Sequence, residues 1–307
     1  MRWRAALVAA LVVAGRLASA QGAPLPSSLL AVRDARGVWR ELWSSATAPV
    51  VWRTTPLADL MTWRAGASSL EWDELQLRGA GEAWRTRLVV ARIDPSRVRL
   101  RLDTAFTARR DAAWTLDRVP KQAVLAINAG QFAATMPWGW VVLDGHRWLP
   151  PQHGPLSAAL LQDSSGDLHW IRGDDVAHAA GNPITQWAFQ SYPALLVDDS
   201  VPAPLRVSGA GVDVAHRDAR AGMCLTRNGK LLVALTRFDA AGRALQFIPF
   251  GLTVPEMAAV MGALGCTNAM LLDGGISARL RVRDASGVTH DWEGLRAVPL
   301  GLIALPR

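Results

Sequence analysis

The chain is short of lysine, tyrosine and cysteine. Among 33 Lys and Arg residues only Lys121 and Lys230 are lysines, Tyr192 is the single tyrosine, and 2 Cys serve 307 residues. So few cysteines exclude a disulfide-stapled miniprotein, and 50% hydrophobic residues exclude a disordered tail, because a chain this apolar can bury a core that offsets its ordering entropy. One large domain or two modest ones are expected. No run of Lys or Arg is present to follow a phosphate backbone, which argues against a nucleic-acid partner. Several catalytic signatures are missing as well. There is no G-x-S-x-G elbow and no H-E-x-x-H, and Asn228-Gly-Lys230 runs into Leu231 where a Walker loop needs a magnesium-binding hydroxyl. Gly209-Ala-Gly211 lacks the third glycine of a dinucleotide fingerprint, and His146, His153, His169, His178, His216 and His290 show no i, i+4 pairing for a metal.

The formal charge of +7 falls to +4 once Arg2, Arg4 and Arg16 are set aside, and those three belong to an N-terminal leader. Basic Met1 to Arg4, an apolar stretch from Ala5 to Gly15 and Ala18-Ser19-Ala20 predict a secretory signal over residues 1–20 and an exported, periplasmic or extracellular chain. No later apolar run reaches the roughly 20 residues that span a bilayer, so no transmembrane segment is expected after cleavage. Cys224 and Cys266 can pair in such a compartment or stay as buried thiols, and the residues leave both readings open.

Residues 21–80 open with a Pro-, Ser- and Ala-rich linker to about Ser28, followed by Trp-bearing patches at Val38–Trp43 and Val50–Arg53 that carry no firm assignment beyond an N-terminal strand layer. From Arg85 the pattern sharpens. Arg85–Arg92 and Arg97–Asp103 alternate apolar with basic residues, as half-buried strands do. Asp144-Gly145, Asn228-Gly229 and Ser164-Ser-Gly166 each separate two apolar runs and predict hairpins. A helix is predicted over Pro255–Leu264, with a Thr253/Glu256 capping box, Pro255 at its first position, a Met257, Val260, Met261, Leu264 stripe and Gly265 as terminator. The fold class that follows is α+β, with a dominant mixed or antiparallel β-sheet and a few packed helices.

Four segments end apolar runs in polar and glycine residues: Ala126–Phe132, Gln190–Val197, Arg217–Met223 and Asn268–Ser277. Sites assemble at such strand ends, where the backbone turns and polar groups converge. The fourth segment delivers Asp273 from an apolar strand into Gly274-Gly275, whose amides lack Cβ shielding and suit an oxyanion nest. An Asp-Gly pair between two apolar runs is also a hairpin turn, and the residues alone favour that plainer reading. Arg220 is a candidate fork for phosphate or carboxylate, although an isolated arginine is more often simply exposed. Asn128 either donates to a sugar or oxyanion or closes its strand in an Asx turn. Trp138 and Trp140 offer flat faces to a sugar ring or belong to the core.

The four segments, in this order, resemble the phosphodiester glycosidase family of N-acetylglucosamine-1-phosphodiester hydrolases, in its bacterial exported branch. The resemblance rests on Asn128-Ala-Gly-Gln-Phe132, Pro137-Trp-Gly139, Gln190-Ser-Tyr-Pro193, Arg220-Ala-Gly-Met223 and the long Leu264-Gly-Cys-Thr-Asn-Ala-Met-Leu-Leu-Asp-Gly-Gly-Ile-Ser277. It covers roughly residues 85–307 and places the domain at 81–307. Tyr192, Ala221 and Gln131 depart from the family pattern, which bears on the substrate more than on the fold.

The resemblance implies hydrolysis of a sugar-1-phosphodiester at its glycosidic C–O bond, in a phosphorylated glycan. Asp273, Asn128 and Arg220 would be catalytic, and Gly130, Gln190, Ser191, Gly274, Gly275 and Ser277 would bind substrate. The chemistry is consistent with one carboxylate. Ordinary glycosidases protonate a poor alkoxide leaving group, whereas a phosphate leaves as a stabilised anion if its charge is held. No cofactor is implied, and a hard cation such as calcium on Asp273 and loop carbonyls stays open. Glu74 is a second carboxylate candidate. A non-catalytic binder of anionic glycans and a phosphodiesterase cutting P–O are the rival functions.

Overall fold

The computed structural model describes residues 29–44, 56–105, 113–154, 156–206, 211–240 and 245–307. The leader, the linker to Ser28 and the Val50–Arg53 patch lie outside the described residues. Every strand pairing among the described residues is antiparallel. The mixed sheet allowed by the sequence is therefore resolved to its antiparallel form, and the α+β, mainly β class holds.

A nine-stranded sheet forms the centre. Across it run Ala194–Leu196, Cys266–Leu272, Ala221–Thr226, Leu231–Phe238, Thr86–Ile93, Glu71–Arg78, Leu29–Arg33 and Trp39–Ser44, with Arg64–Ala65 paired to Glu71–Arg78. The Trp-bearing patch at Val38–Trp43 is thus an edge strand of this sheet. Its outer face packs on a helix, Val254–Ala263, through Leu88, Val90, Leu232, Met257, Val260 and Met261. The capping box is present, with Thr253 Oγ1 accepting from the Glu256 amide at 3.3 Å and Glu256 accepting from the Thr253 amide at 2.9 Å. Arg217 adds a fork onto the same buried Glu256 at 2.7 and 2.8 Å, joining the helix start to the third segment.

The inner face of the large sheet meets two five-stranded sheets. One comprises His146–Leu149, Val141–Leu143, Thr185–Ser191, Ala158–Asp163 and Leu168–Arg172; the other comprises Thr289–Trp292, Leu280–Arg283, Leu125–Asn128, Leu300–Pro306 and Val98–Thr104. Val98–Thr104 alternates buried and exposed as its sequence predicts, because one face, Val98, Leu100 and Leu102, packs on the core while Arg99 and Arg101 face solvent. Thr86–Ile93 does not. It sits mid-sheet with both faces covered, so its basic residues stand near its ends instead of along one wet face. No helix among the described residues is long and apolar enough to cross a membrane.

The three predicted hairpins form at Asp144-Gly145, Ser164–Gly166 and Asn228-Gly229. One turn design recurs at Asp34, Asp163 and Asp284, each six residues before an arginine or histidine with a left-handed glycine between. In each, one carboxylate oxygen accepts backbone amides of the turn and the other meets Arg40, His169 or His290 at 2.8, 2.7 and 2.9 Å. These hydrogen bonds hold all three carboxyls below the usual range, led by Arg40, Ser165 and Ser286 respectively.

Cys224 and Cys266 form a disulfide between the neighbouring strands Ala221–Thr226 and Cys266–Leu272, closing a separation of 42 residues. Cross-linking a loop of this length stabilises by about 2–4 kcal/mol through the unfolded chain. Replacing both cysteines with serine is expected to lower the unfolding free energy by that order, read as a lower urea midpoint.

Candidate active site

The strand Cys266–Leu272 lies one strand in from the edge of the large sheet, is buried and apolar from Ala269 to Leu272, and ends by presenting Asp273. Both backbone groups of Asp273 are tied to the first segment. Its amide donates to the Gly130 carbonyl at 2.9 Å, and its carbonyl accepts from Asn128 Nδ2 at 2.9 Å. Asn128 Oδ1 accepts from the Arg279 amide at 3.0 Å, so this buried side chain bridges the entrance and exit of the loop. It makes no Asx turn. Gly130 has φ +68, and a Cβ there would stand 3.0 Å from the Gln190 carbonyl oxygen.

The plain hairpin reading of Asp273-Gly274 fails. Cys266–Leu272 lies in the large sheet and Leu280–Arg283 in another, so the chain crosses between sheets over residues 273–279. The glycines serve close approach. A Cβ on Gly274 would sit 2.5 Å from the Ala219 carbonyl oxygen, and one on Gly275 would sit 2.9 Å from an Asp218 carboxylate oxygen. The Gly275 amide donates to the Ala219 carbonyl at 2.7 Å, so it is not part of the expected anion nest.

The Asp273 carboxyl is half-buried and hydrogen-bonded to the Ser277 side chain. Burial pushes its pKa up and the charge of Asp218 adds to that rise, while Ser277, Arg296 and Arg279 oppose it. Burial likewise raises Asp218, against the pull of Arg220 and His216. Beside the crossing opens a cleft of about 680 Å³, lined in part by Glu82, His216, Asp218, Phe250, Gly275 and Ile276. Asp218 and Arg296 escaped the sequence reading. Asp218 stood inside the third segment, two residues before Arg220. Arg296 lies in a loop with no motif, its guanidinium 4.7 Å over the Phe132 ring and its amide on the Ile276 carbonyl.

Arg220 reaches this region but works partly as a strut. Its Nε donates to the Leu252 carbonyl at 2.9 Å and Nη2 to the His216 carbonyl at 2.6 Å, leaving Nη1 without a hydrogen-bond partner among the described residues. Gln190 is fully engaged. Its Oε1 accepts from the Trp140 and Gln152 amides at 2.9 and 3.0 Å, and Nε2 donates to the Gln152 carbonyl at 2.8 Å. The Ser191 hydroxyl, also buried, donates to the Leu271 carbonyl. Ser191 therefore holds the strand that carries Asp273, Gln190 ties together the loops at Trp140 and Gln152, and both are buried with their side chains turned to the protein backbone, contrary to the sequence expectation. Trp140 is core, and Trp138 packs near Tyr192. Glu74 lines a separate cavity with Arg87, which bridges it to Asp239. Among the described residues no three His, Cys, Asp or Glu side chains cluster to hold a metal.

All four segments thus meet around the Asp273 loop, on a β-rich scaffold. The chain belongs to the phosphodiester glycosidase family, whose model matches residues 121–305. No curated protein matches it. Among solved structures, it resembles the zebrafish N-acetylglucosamine-1-phosphodiester alpha-N-acetylglucosaminidase catalytic domain auto-inhibited by its pro-peptide, at 17% identity and TM-score 0.58, over 83% of this chain and 92% of that one. It also resembles a hypothetical protein from Synechocystis, at 15% identity and TM-score 0.52, over 92% of this chain and 69% of that one. At these identities the likeness is one of fold.

Asn128→Ala leaves the Asp273 carbonyl and the Arg279 amide without their partner, and is expected to cost about 2–4 kcal/mol in urea unfolding. Asp273→Asn is expected to act in the opposite sense. A raised carboxyl binds its proton more tightly in the folded state, so the parent loses stability as pH climbs from the unfolded carboxylate value through the folded one. The variant, lacking that loss, should match the parent near pH 3 and exceed it at pH 7.

Proposed function

We propose that this chain is an exported hydrolase that cleaves the glycosidic C–O bond of a sugar-1-phosphodiester in a cell-envelope or extracellular glycan, as a member of the family's bacterial exported branch. The observation that carries the reading is Asp273: a half-buried carboxyl in the family's D-G-G-x-S segment, fixed through both its backbone groups and its side chain. In the transition state the bond from the anomeric carbon to the phosphate oxygen breaks, and its electron pair stays on the phosphate. Positive charge builds on the sugar ring, where the ionised Asp273 would face it. Negative charge builds on the departing phosphate, and the free Nη1 end of Arg220 together with exposed Arg296 would hold it. Water supplies the new hydroxyl on the sugar, and the phosphomonoester leaves. The chemistry calls for no cofactor.

Export is supported by the Met1–Ala20 leader pattern and by a disulfide, which persists in oxidising compartments. The test uses the mature chain, a synthetic N-acetylglucosamine-1-phosphodiester and ¹⁸O-water. Labelled free sugar with unlabelled phosphomonoester is expected. Label in the phosphate would mean P–O cleavage, and tight binding without turnover would mean a glycan receptor. Asp273→Asn should lose about 10²–10⁴-fold in kcat while keeping its fold.

A further inference from the structure

One carboxylate of the cleft has no work assigned. Asp218 lies between the Arg217–Glu256 fork and the Arg220 strut, and it lines the 680 Å³ cleft together with Gly275. Its Oδ1 is buried and has no hydrogen-bond partner among the described residues. Buried carboxylate oxygens are normally satisfied, because desolvation without a partner disfavours the folded state. Its Oδ2 sits 2.9 Å from where a Cβ of residue 275 would stand, so the glycine there makes room for this carboxylate beside the crossing that carries Asp273.

We propose that Asp218 is the second carboxylate of the hydrolysis and takes the proton of the water that attacks the anomeric carbon. The inference rests on the reading of this cleft as a sugar-1-phosphodiester site. The atoms balance simply. As one water O–H bond breaks, its proton passes to Asp218 and the water oxygen bonds to the anomeric carbon. The carbon–phosphate-oxygen bond breaks with its pair on the phosphomonoester, and Asp218 returns its proton to solvent. Asp273 stays ionised throughout. Such a division needs a carboxylate that reaches the cleft, and Asp218 lines it with 22% of its side chain exposed.

The surroundings set its basicity. His216, with Nε2 3.8 Å from Oδ2, and Arg220 favour the ionised form, whereas Glu82 and Asp273 oppose it. Burial is the largest influence and raises the proton affinity of Asp218. A carboxylate so placed accepts a proton more readily than a solvated one near neutral pH.

The experiment follows hydrolysis of the same phosphodiester by the parent, Asp218→Asn, Asp218→Ala and Asp273→Asn, with and without sodium azide. Azide attacks carbon without surrendering a proton, so it needs no base. Both Asp218 variants are expected to lose about 100-fold or more in hydrolytic kcat, to lose or shift the acid limb of the kcat/KM profile, and to recover sugar transfer as the glycosyl azide. Hydrolysis within about threefold of the parent with an unmoved acid limb overturns the proposal. So does a loss that azide leaves unrepaired in both variants, which marks a structural carboxylate. If Asp273→Asn is inactive while both Asp218 variants match the parent, this inference alone fails. P–O cleavage by the parent, or no turnover, removes the function reading and this inference with it.

Discussion

The site depends on a clamp on the backbone of residue 273. A carboxylate can be aimed only as well as the peptide that carries it, and here both the amide and the carbonyl of Asp273 are held by residues some 145 positions away, at Gly130 and Asn128. The strand that delivers Asp273 is held in turn at the Leu271 carbonyl by Ser191 and at the Leu271 amide by the Pro193 carbonyl. Two of the polar segments, Ala126–Phe132 and Gln190–Val197, therefore act on the position of one residue in a third. The remaining segment packs the Ala219 carbonyl against Gly274 and the Asp218 carboxylate against Gly275, at distances that tolerate no side chain.

This arrangement explains which parts of the site were legible. Turns, the capped helix and the edge strand Val98–Thr104 follow from local chemistry: dipeptides with left-handed backbone, a capping box, alternation. The segments carrying the site were visible as apolar runs ending in polar and glycine residues. What each residue does was less visible, because it depends on which partner lies across the cleft. Asn128 and Gln190 have the composition of ligand-binding residues, but their amides are engaged with backbone from distant chain. The glycines at 274 and 275 suggested free amides, and answer instead to the oxygen atoms of Ala219 and Asp218. Arg296 had no local signal, since its proximity to Asp273 is created by the return of the chain from a different sheet.

The same logic gives the disulfide a place in the architecture. It joins the strand that begins just after Arg220 to the strand that ends just before Asp273, at their far ends from the cleft. Register between those two strands puts Ala221 opposite Leu272, so the cross-link fixes the alignment that sets Asp218 and Arg220 beside the Asp273 loop.

The protein sorts its acids into two populations. Asp34, Asp163 and Asp284 close hairpins and cling to ionisation, whereas Asp218 and Asp273 are reluctant to ionise. As pH falls, the cleft pair therefore takes up protons before the turn carboxyls do. On the proposed function, protonation of the Asp218 and Asp273 pair would slow hydrolysis before the three turn carboxylates lose their charge.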